Sequence, residues 1–503
     1  MSAEPRRFLV IGLDGGTFDL IDPLLVAGRL PFLATLARDG LSAPLTSVFP
    51  AKTIPAWYSF ATGLDPGMLG IFGFTEPDGG PGKSRLVSSY RPADALWDHL
   101  SRRGKRVGVI NFPMRAPVPV NGFFVPGMFS EEPRTYPAGL APELREAAGE
   151  AYLPELPPFR AAERAAWMEL ADRSVAQRAR IARSLIDRFR PEFLFVLFRE
   201  TDRVEHQHWS ELARPVSEHA GDLIAFWEGV DRACSEIDSA FRAAGGPAVT
   251  LVISDHGHGA ARTEFFTNRW LLEHGYLTLA GGDTPWRRRF ASRMLLAADR
   301  ILPLRSLLGP VVDRIHGGAR GERLAHFVAG DASFEAMAPR IDWQRTLAYS
   351  YPVPEAIYLN PYGPKLSEEG RAELLQRLKA ELSAFPEAHV EVFEPREIYR
   401  GVHHPQAPAL LFRINRLETD SRMDFTYPKP MMHERPGYFY GSGVHRMEGI
   451  FLASGAGVSA RGRSPEPFSL LDIAPTVLEG MGVPVPGAIG GLSRLPRLGA
   501  AAP

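Results

Sequence analysis

In VTLVISDHGHG, residues 249–259, a run of apolar and β-branched side chains ends without transition at an acid, two histidines and two glycines. Such a run fits a strand buried on both faces of a sheet. Gly257 and Gly259 permit a backbone in which neighbouring side chains converge on one point, where a regular strand would aim them oppositely. The strand thus stops at a cradle: Asp255 and His256 present a carboxylate and an imidazole, ordinary ligands for zinc or manganese. His258 is either a further ligand or a residue standing behind one. Working outward, similar runs recur at Phe8–Leu13, Val107–Ile110, Phe193–Phe198 and Ile450–Ala453, each near glycines or acids. Segments of helical period, residues 161–188 and 223–244, lie between them. Strands alternating with helices predict an α/β fold, a doubly wound and mostly parallel sheet covered on both faces. Ligand chemistry in such sheets gathers beyond the carboxyl ends of the strands.

The 503 residues, 45% hydrophobic and 23% charged, can bury a large core, and a formal net charge of −1 offers no overall attraction for nucleic acid or an acidic membrane surface. The single cysteine, Cys234, excludes an intramolecular disulfide and a thiolate zinc cluster. The first apolar run, Phe8–Leu13, leads into a glycine turn and not a cleavage site, and no apolar stretch reaches the roughly 18 residues of a spanning helix. These features predict a cytoplasmic protein with no transmembrane segment. Residues 1–284 read as the first part of the core and 437–503 as its return. Residues 285–345, with RRRFASRMLLAADRILPLRSLLGPVVDRI, read as amphipathic helices broken by Pro303 and Pro310. They form a helical insertion packed on the core, or a membrane-surface contact through the arginine-rich face. Residues 346–436, with EAIYLN, SEEGRAELLQRLKAELSAF and APALLFRI, read as a smaller α/β lid.

Further segments carry polar ligands at strand ends or turns. In VIGLDGGTFD, Asp14 ends a strand and Gly15 and Gly16 turn the backbone toward a helix, although an acid there also serves as an ordinary helix cap. In FRETDRVEHQHWSEL, Asp202 and His206 are four apart, so on a helix they share a face and can chelate one cation. Glu205 and His208 compete for that role, and a solvated helix start is the alternative. His445, in YGSGVHRMEGIFLASG, precedes a strand, where a lone histidine is most often structural. Together Asp14, Asp202, His206, Asp255, His256 and His445 supply enough ligands for two cations with open positions. Thr53, in SVFPAKTIPAWYSFATG, stands between Pro50 and Pro55 ahead of a predicted helix. Its hydroxyl either meets an anion at the helix N-terminus or caps the helix.

In this order IGLDGGTFDLIDPLL, TIPAWYSFATG, ETDRVEHQHW, VISDHGHG, SGVHRMEGIFLASG and DIAPTVLEGMGVPVP resemble the alkaline phosphatase superfamily over nearly the whole chain. The likeness is greater to its type I phosphodiesterase and nucleotide pyrophosphatase branch, particularly the bacterial predicted phosphohydrolases or phosphomutases. The resemblance implies an alkaline phosphatase-like core with a two-metal site. Carried over by position, it implies that Asp14, Thr53, Asp255 and His256 hold one metal and that Asp202, His206 and His445 hold the other. Thr53 stands where that family places its nucleophile. The chain departs from the branch after TGLDPGMLGIFGF: Leu69 replaces a histidine, and Phe72 to Phe74 offers no phosphate-binding amide. Lys52 is the substitute donor to substrate, or else an ordinary surface lysine. Thr53 and the remote Cys234 argue against the aldehyde chemistry of sulfatases.

The expected function is hydrolysis of a phosphodiester or phosphoanhydride in a small-molecule ester or nucleotide, through a phosphothreonine and with two divalent metals. Zinc is the expected metal, with manganese or iron compatible with the same ligands. The alternatives are a phosphomonoesterase, a phosphomutase or phosphotransferase using the same covalent intermediate, and a metal-binding scaffold without catalysis.

Overall fold

The computed structural model describes residues 6–87, 93–128, 134–212, 220–280, 334–400, 407–425, 431–434 and 441–499. A nine-stranded sheet organises the chain. Its order is Gly462–Arg463, Leu41–Thr46, Glu448–Gly455, Ala248–Ile253, Arg7–Leu13, Phe193–Phe198, Val107–Phe112 and Gly122–Pro126, with Phe468–Ser469 pairing Leu41–Thr46 off that path. The five strands from Ala248–Ile253 to Gly122–Pro126 are mutually parallel. Glu448–Gly455 runs antiparallel to both of its neighbours.

Both faces of the sheet are buried, which is why its strands read as unbroken apolar runs. In Arg7–Leu13 the side chains alternate: Phe8 and Val10 join one core, and Leu9, Ile11 and Leu13 join the other. The first core is closed by the helices Thr53–Thr62, Leu96–Arg102 and Ile473–Gly480, the second by Phe18–Val26, Pro31–Asp39, Arg164–Phe189 and Ala220–Ala243. Among the described residues no single helix is long and apolar enough to cross a membrane.

A third apolar cluster belongs to an accessory layer. Its antiparallel sheet has the order Ala348–Tyr349, Ala356–Leu359, Leu410–Ile414, Val390–Phe393. The helix Glu368–Ser383 covers this cluster with Leu374, Leu378 and Leu382, spaced at four residues so that they share a face. Ser367 caps that helix by accepting from the Gly370 amide at 3.1 Å. The cluster also takes in Phe265, Trp270 and Tyr276 from before residue 285. Residues 285–333 of the expected insertion lie outside the described residues. From Phe334 on, its end packs into the accessory cluster through Phe334, Met337 and Ile341.

Candidate active site

Strand direction alone brings the polar ends together. Asp14, Arg199 and Asp255 follow the carboxyl ends of three adjacent parallel strands. Glu448–Gly455 runs the other way, so its start lies at that same edge, and His445 stands just before it. Leu41–Thr46 is parallel to the central strands, so the loop after it carries Lys52 and Thr53 to this edge as well.

Asp14 does not cap the helix that follows; Thr17 does, accepting from the Asp19 amide. Gly15 turns at φ +74°, and its amide donates to Asp255 Oδ1 at 3.2 Å. Trp57 Nε1 donates to Asp14 Oδ2 at 3.0 Å, which leaves Asp14 Oδ1 facing His256 Nε2 at 3.7 Å. His256 Nε2 also lies 3.2 Å from Asp255 Oδ2. The strand Phe193–Phe198 passes through Arg199 into the helix Glu200–Leu212. On that helix the spacing of four does align Asp202 with His206, Oδ1 to Nε2 at 3.3 Å. His445 Nε2 approaches the same Asp202 oxygen at 3.2 Å and His206 Nε2 at 2.8 Å.

Two sets of donors converge with ligand atoms all within 4.8 Å of one another: Asp14, Asp255 and His256, and Asp202, His256, His258 and His445. These sets hold five of the six acids and imidazoles expected from the sequence and add His258; His206 is in neither set and joins the cluster through its contacts with Asp202 and His445. His208 turns away, bonded to Glu211 at 2.7 Å with its ring edge-on to Phe159.

His445 arrives through a strand pair. Gly257–Ala260 runs antiparallel to Gly443–Arg446, with His258 opposite His445. The segment after His256 is therefore a strand, not the open turn expected of its glycines. A Cβ on Gly257 would meet Glu448 O at 1.9 Å, so the glycine is required by close backbone approach.

Thr53 is the first residue of its helix; the N-cap position falls to Lys52, and no side-chain capping bond forms. The segment is tied to the cluster at two points. Ala51 O accepts from His445 Nδ1 at 2.6 Å, and Trp57, one turn past Thr53, holds Asp14. Thr53 itself is buried and lies between these two tied residues in sequence, at the N-terminus of its helix. Lys52 lines a cleft with Phe49, His206, His445 and Asp420, and its ammonium is paired with Glu355 of the accessory layer at 2.7 Å.

Burial and mutual repulsion set the electrostatics of the cluster. Burial, then Asp202, raises the Asp14 carboxyl to about 8, against the opposing pull of Arg199 and Trp57. Burial, then Asp14 and Asp202, holds Asp255 well above the carboxylate range. For Asp202 burial acts upward but His206 and His445 outweigh it, and its carboxyl lies well below that range. Burial, then His445, holds His256 well below the ordinary imidazole value. Asp14 Oδ1, Asp202 Oδ1, Asp255 Oδ2 and His256 Nε2 are buried and accept or donate no hydrogen bond among the described residues. Buried polar atoms without partners are costly, and donors this close without hydrogen-bond geometry are what an ion would satisfy.

Two groups at the site, Arg199 and Glu355, are not singled out by the sequence, and a third, Glu205, reads there only as a competing ligand. Arg199 is buried with its guanidinium 3.8 Å from Asp14, 3.7 Å from Asp202 and 3.3 Å from Glu155. Its signal is position alone, the first residue past a buried strand. Glu355 comes from the accessory layer, and Glu205 stands behind His258 at 3.1 Å.

The fold is that of the alkaline phosphatase-like α/β enzymes. Among matching solved structures is the crystal structure of phosphonoacetate hydrolase from Sinorhizobium meliloti 1021 in complex with phosphonoformate. It covers 95% of this chain and 97% of its own at a TM-score of 0.54 and 14% identity. The chain belongs to the type I phosphodiesterase / nucleotide pyrophosphatase family, whose model it matches over residues 8–439, and is thus a phosphoric ester hydrolase. No curated protein matches it.

Proposed function

We propose that the chain hydrolyses a phosphodiester or phosphoanhydride of a small molecule through a phosphothreonine at Thr53, with two divalent cations, zinc by preference. Asp14, Thr53, Asp255 and His256 would hold one cation, and Asp202, His206 and His445 the other. The observation that carries this reading is the pair of converging donor sets whose buried carboxylate and imidazole atoms include several with no hydrogen-bond partner among the described residues. Bound divalent cations supply Lewis acidity to the nucleophile, the phosphoryl oxygens and the leaving oxygen.

The chain's own residues do the rest. Trp57 and the Gly15 amide fix the orientation of Asp14 and Asp255, and the Ala51 carbonyl fixes the His445 ring. Thr53 Oγ1 would lose its proton and form its bond to phosphorus as the P–O bond to the leaving group breaks, the leaving oxygen departing with a proton; water would then add to phosphorus, break the Thr53 O–P bond and return a proton to the hydroxyl. Lys52 uses one of its three N–H donors on Glu355 and keeps two for a phosphoryl oxygen. The accessory layer, from about residue 346 to 436, would act as a lid that selects the organic group. The single, buried thiol of Cys234 supports a reducing, cytoplasmic setting.

The test is a panel of p-nitrophenyl mono- and diesters assayed with wild type and Thr53→Ala. Diesters are expected to be the better substrates. Thr53→Ala is expected to lose about 10³-fold or more in turnover while still binding cations. Full activity in Thr53→Ala overturns the covalent step. Transfer of the phosphoryl group to an added alcohol, in place of phosphate release, would mark a transferase.

A further inference from the structure

We infer that His258 is a fourth protein donor to the cation of Asp202, His206 and His445, oriented from behind by Glu205. The inference rests on the metal-dependent reading above. His258 faces the site from the short strand Gly257–Ala260, in register with His445 across the ladder. Its Nε2 lies 3.8 Å from Asp202 Oδ1, the oxygen that His206 and His445 also approach. Donors about 2.1 Å from one zinc ion are at most about 4.2 Å apart. Asp202, His258 and His445 fall in one set whose ligand atoms lie within 4.8 Å of one another, so small side-chain shifts meet that limit; His206, outside that set, reaches it through Asp202 Oδ1 at 3.3 Å and His445 Nε2 at 2.8 Å.

The other face of the ring is equally specific. His258 Nδ1 lies 3.1 Å from Glu205 Oε2, and Glu205 is on the helix turn that carries Asp202 and His206. Nδ1 is within reach of this carboxyl group and Nε2 is on the side of Asp202, so a small ring rotation would complete the carboxylate–histidine–metal arrangement that fixes an imidazole ligand. Both residues are fully buried, and the nitrogens of His258 and the oxygens of Glu205 make no hydrogen bond among the described residues. The cradle is shaped for the pair: a Cβ on Gly15 would lie 2.5 Å from His258 Nδ1 and 3.2 Å from Glu205 Oε2. Trp209, one turn beyond Glu205, stacks on the His258 ring at 6.2 Å and walls it in. A histidine serving only to fill the core would not need its outer nitrogen aimed, unpartnered, at an oxygen two other imidazoles share.

The two cation sites are then unequal. Three imidazoles and one carboxylate favour zinc, whereas the set with Asp14 and Asp255 is richer in oxygen and accepts manganese more readily.

The experiment strips the full chain with chelator and titrates it with cobalt(II), followed by competition with zinc. Wild type is expected to fill in two phases, the tighter one giving the stronger visible absorption. Glu205→Gln, which keeps the shape of the side chain, should weaken the tight phase about 10- to 100-fold. His258→Phe should weaken it further and shift its visible band, with the weaker phase left in place. Tight-phase affinity and spectrum unchanged in Glu205→Gln and His258→Phe overturn the inference alone. A wild-type chain that takes up no cobalt overturns the metal-dependent reading and this inference together.

Discussion

Asp14 shows how much of a buried carboxylate's behaviour is set by its neighbours. Gly12, two residues before it, faces the Trp57 ring, whose Nε1 holds Asp14. A Cβ on Gly12 would meet Trp57 Cη2 at 2.6 Å and Leu197 Cδ1 at 2.8 Å, and the cores on both sides are filled. Gly12→Ala is therefore expected to cost about 1–3 kcal/mol through overpacking and to displace the indole from Asp14. A urea titration should show the lower midpoint, and turnover should fall by more than the stability loss explains. Asp14 itself was legible from sequence as the acid at a strand end. The indole that orients it was not, because Trp57 lies 43 positions away and nothing in the local pattern links it to Asp14.

The helix Glu200–Leu212 carries Asp202, Glu205, His206 and Trp209 on one face, and it is anchored at its start. Glu200 pairs with Arg178 of the helix Arg164–Phe189, accepts from Ser174 Oγ at 2.5 Å, and like Arg178 is almost fully buried. Removing one partner strands the other charge in the core. Glu200→Ala is expected to cost about 3–5 kcal/mol, with cation binding weakened as the helix loosens. Thermal unfolding with and without zinc reads both effects, and a loss below about 1 kcal/mol would show that the pair is not the anchor. The helix was readable from its spacing, as were the long apolar strands. The Gly257–Ala260 and Gly443–Arg446 ladder was not, since two four-residue segments so rich in glycine carry no strand signal until they meet.

Across the molecule the buried carboxylates make stability depend on pH and on cations together. Asp14, raised to about 8, and Asp255, held well above the carboxylate range, keep protons in the native metal-free chain. The unfolded chain has shed those protons above about pH 4. The native state thus binds more protons, and stability falls as pH rises toward 8. His206, raised by Asp202 despite its burial, acts in the same direction above about pH 6.5. The opposing contribution of Asp202 is already complete above about pH 4, and the lowered His256, His258 and His445 add nothing further above about pH 6.5. The chelated protein is expected to lose Tm between about pH 6.5 and 8, and zinc to restore more of it at the higher pH, where fewer protons must be displaced. A chelated Tm that is flat or rises across this range contradicts the cluster's electrostatics.

What could be read along the chain were the features that repeat locally. Apolar runs ending in acids, a four-residue spacing of Asp202 and His206, and Thr53 ahead of a helix depend on backbone periods of two and 3.6, which neighbours in sequence obey. Those features carried the α/β class and the candidate donors, while the family was legible only through the resemblance of whole motifs in order. Folding settled the rest: that His258 faces Asp202, that Arg199 lies behind Asp14 and Asp202, and that Lys52 spends a donor on Glu355, 303 positions away. These contacts join segments by strand order and direction, and a one-dimensional pattern holds no record of which segments become neighbours in a sheet.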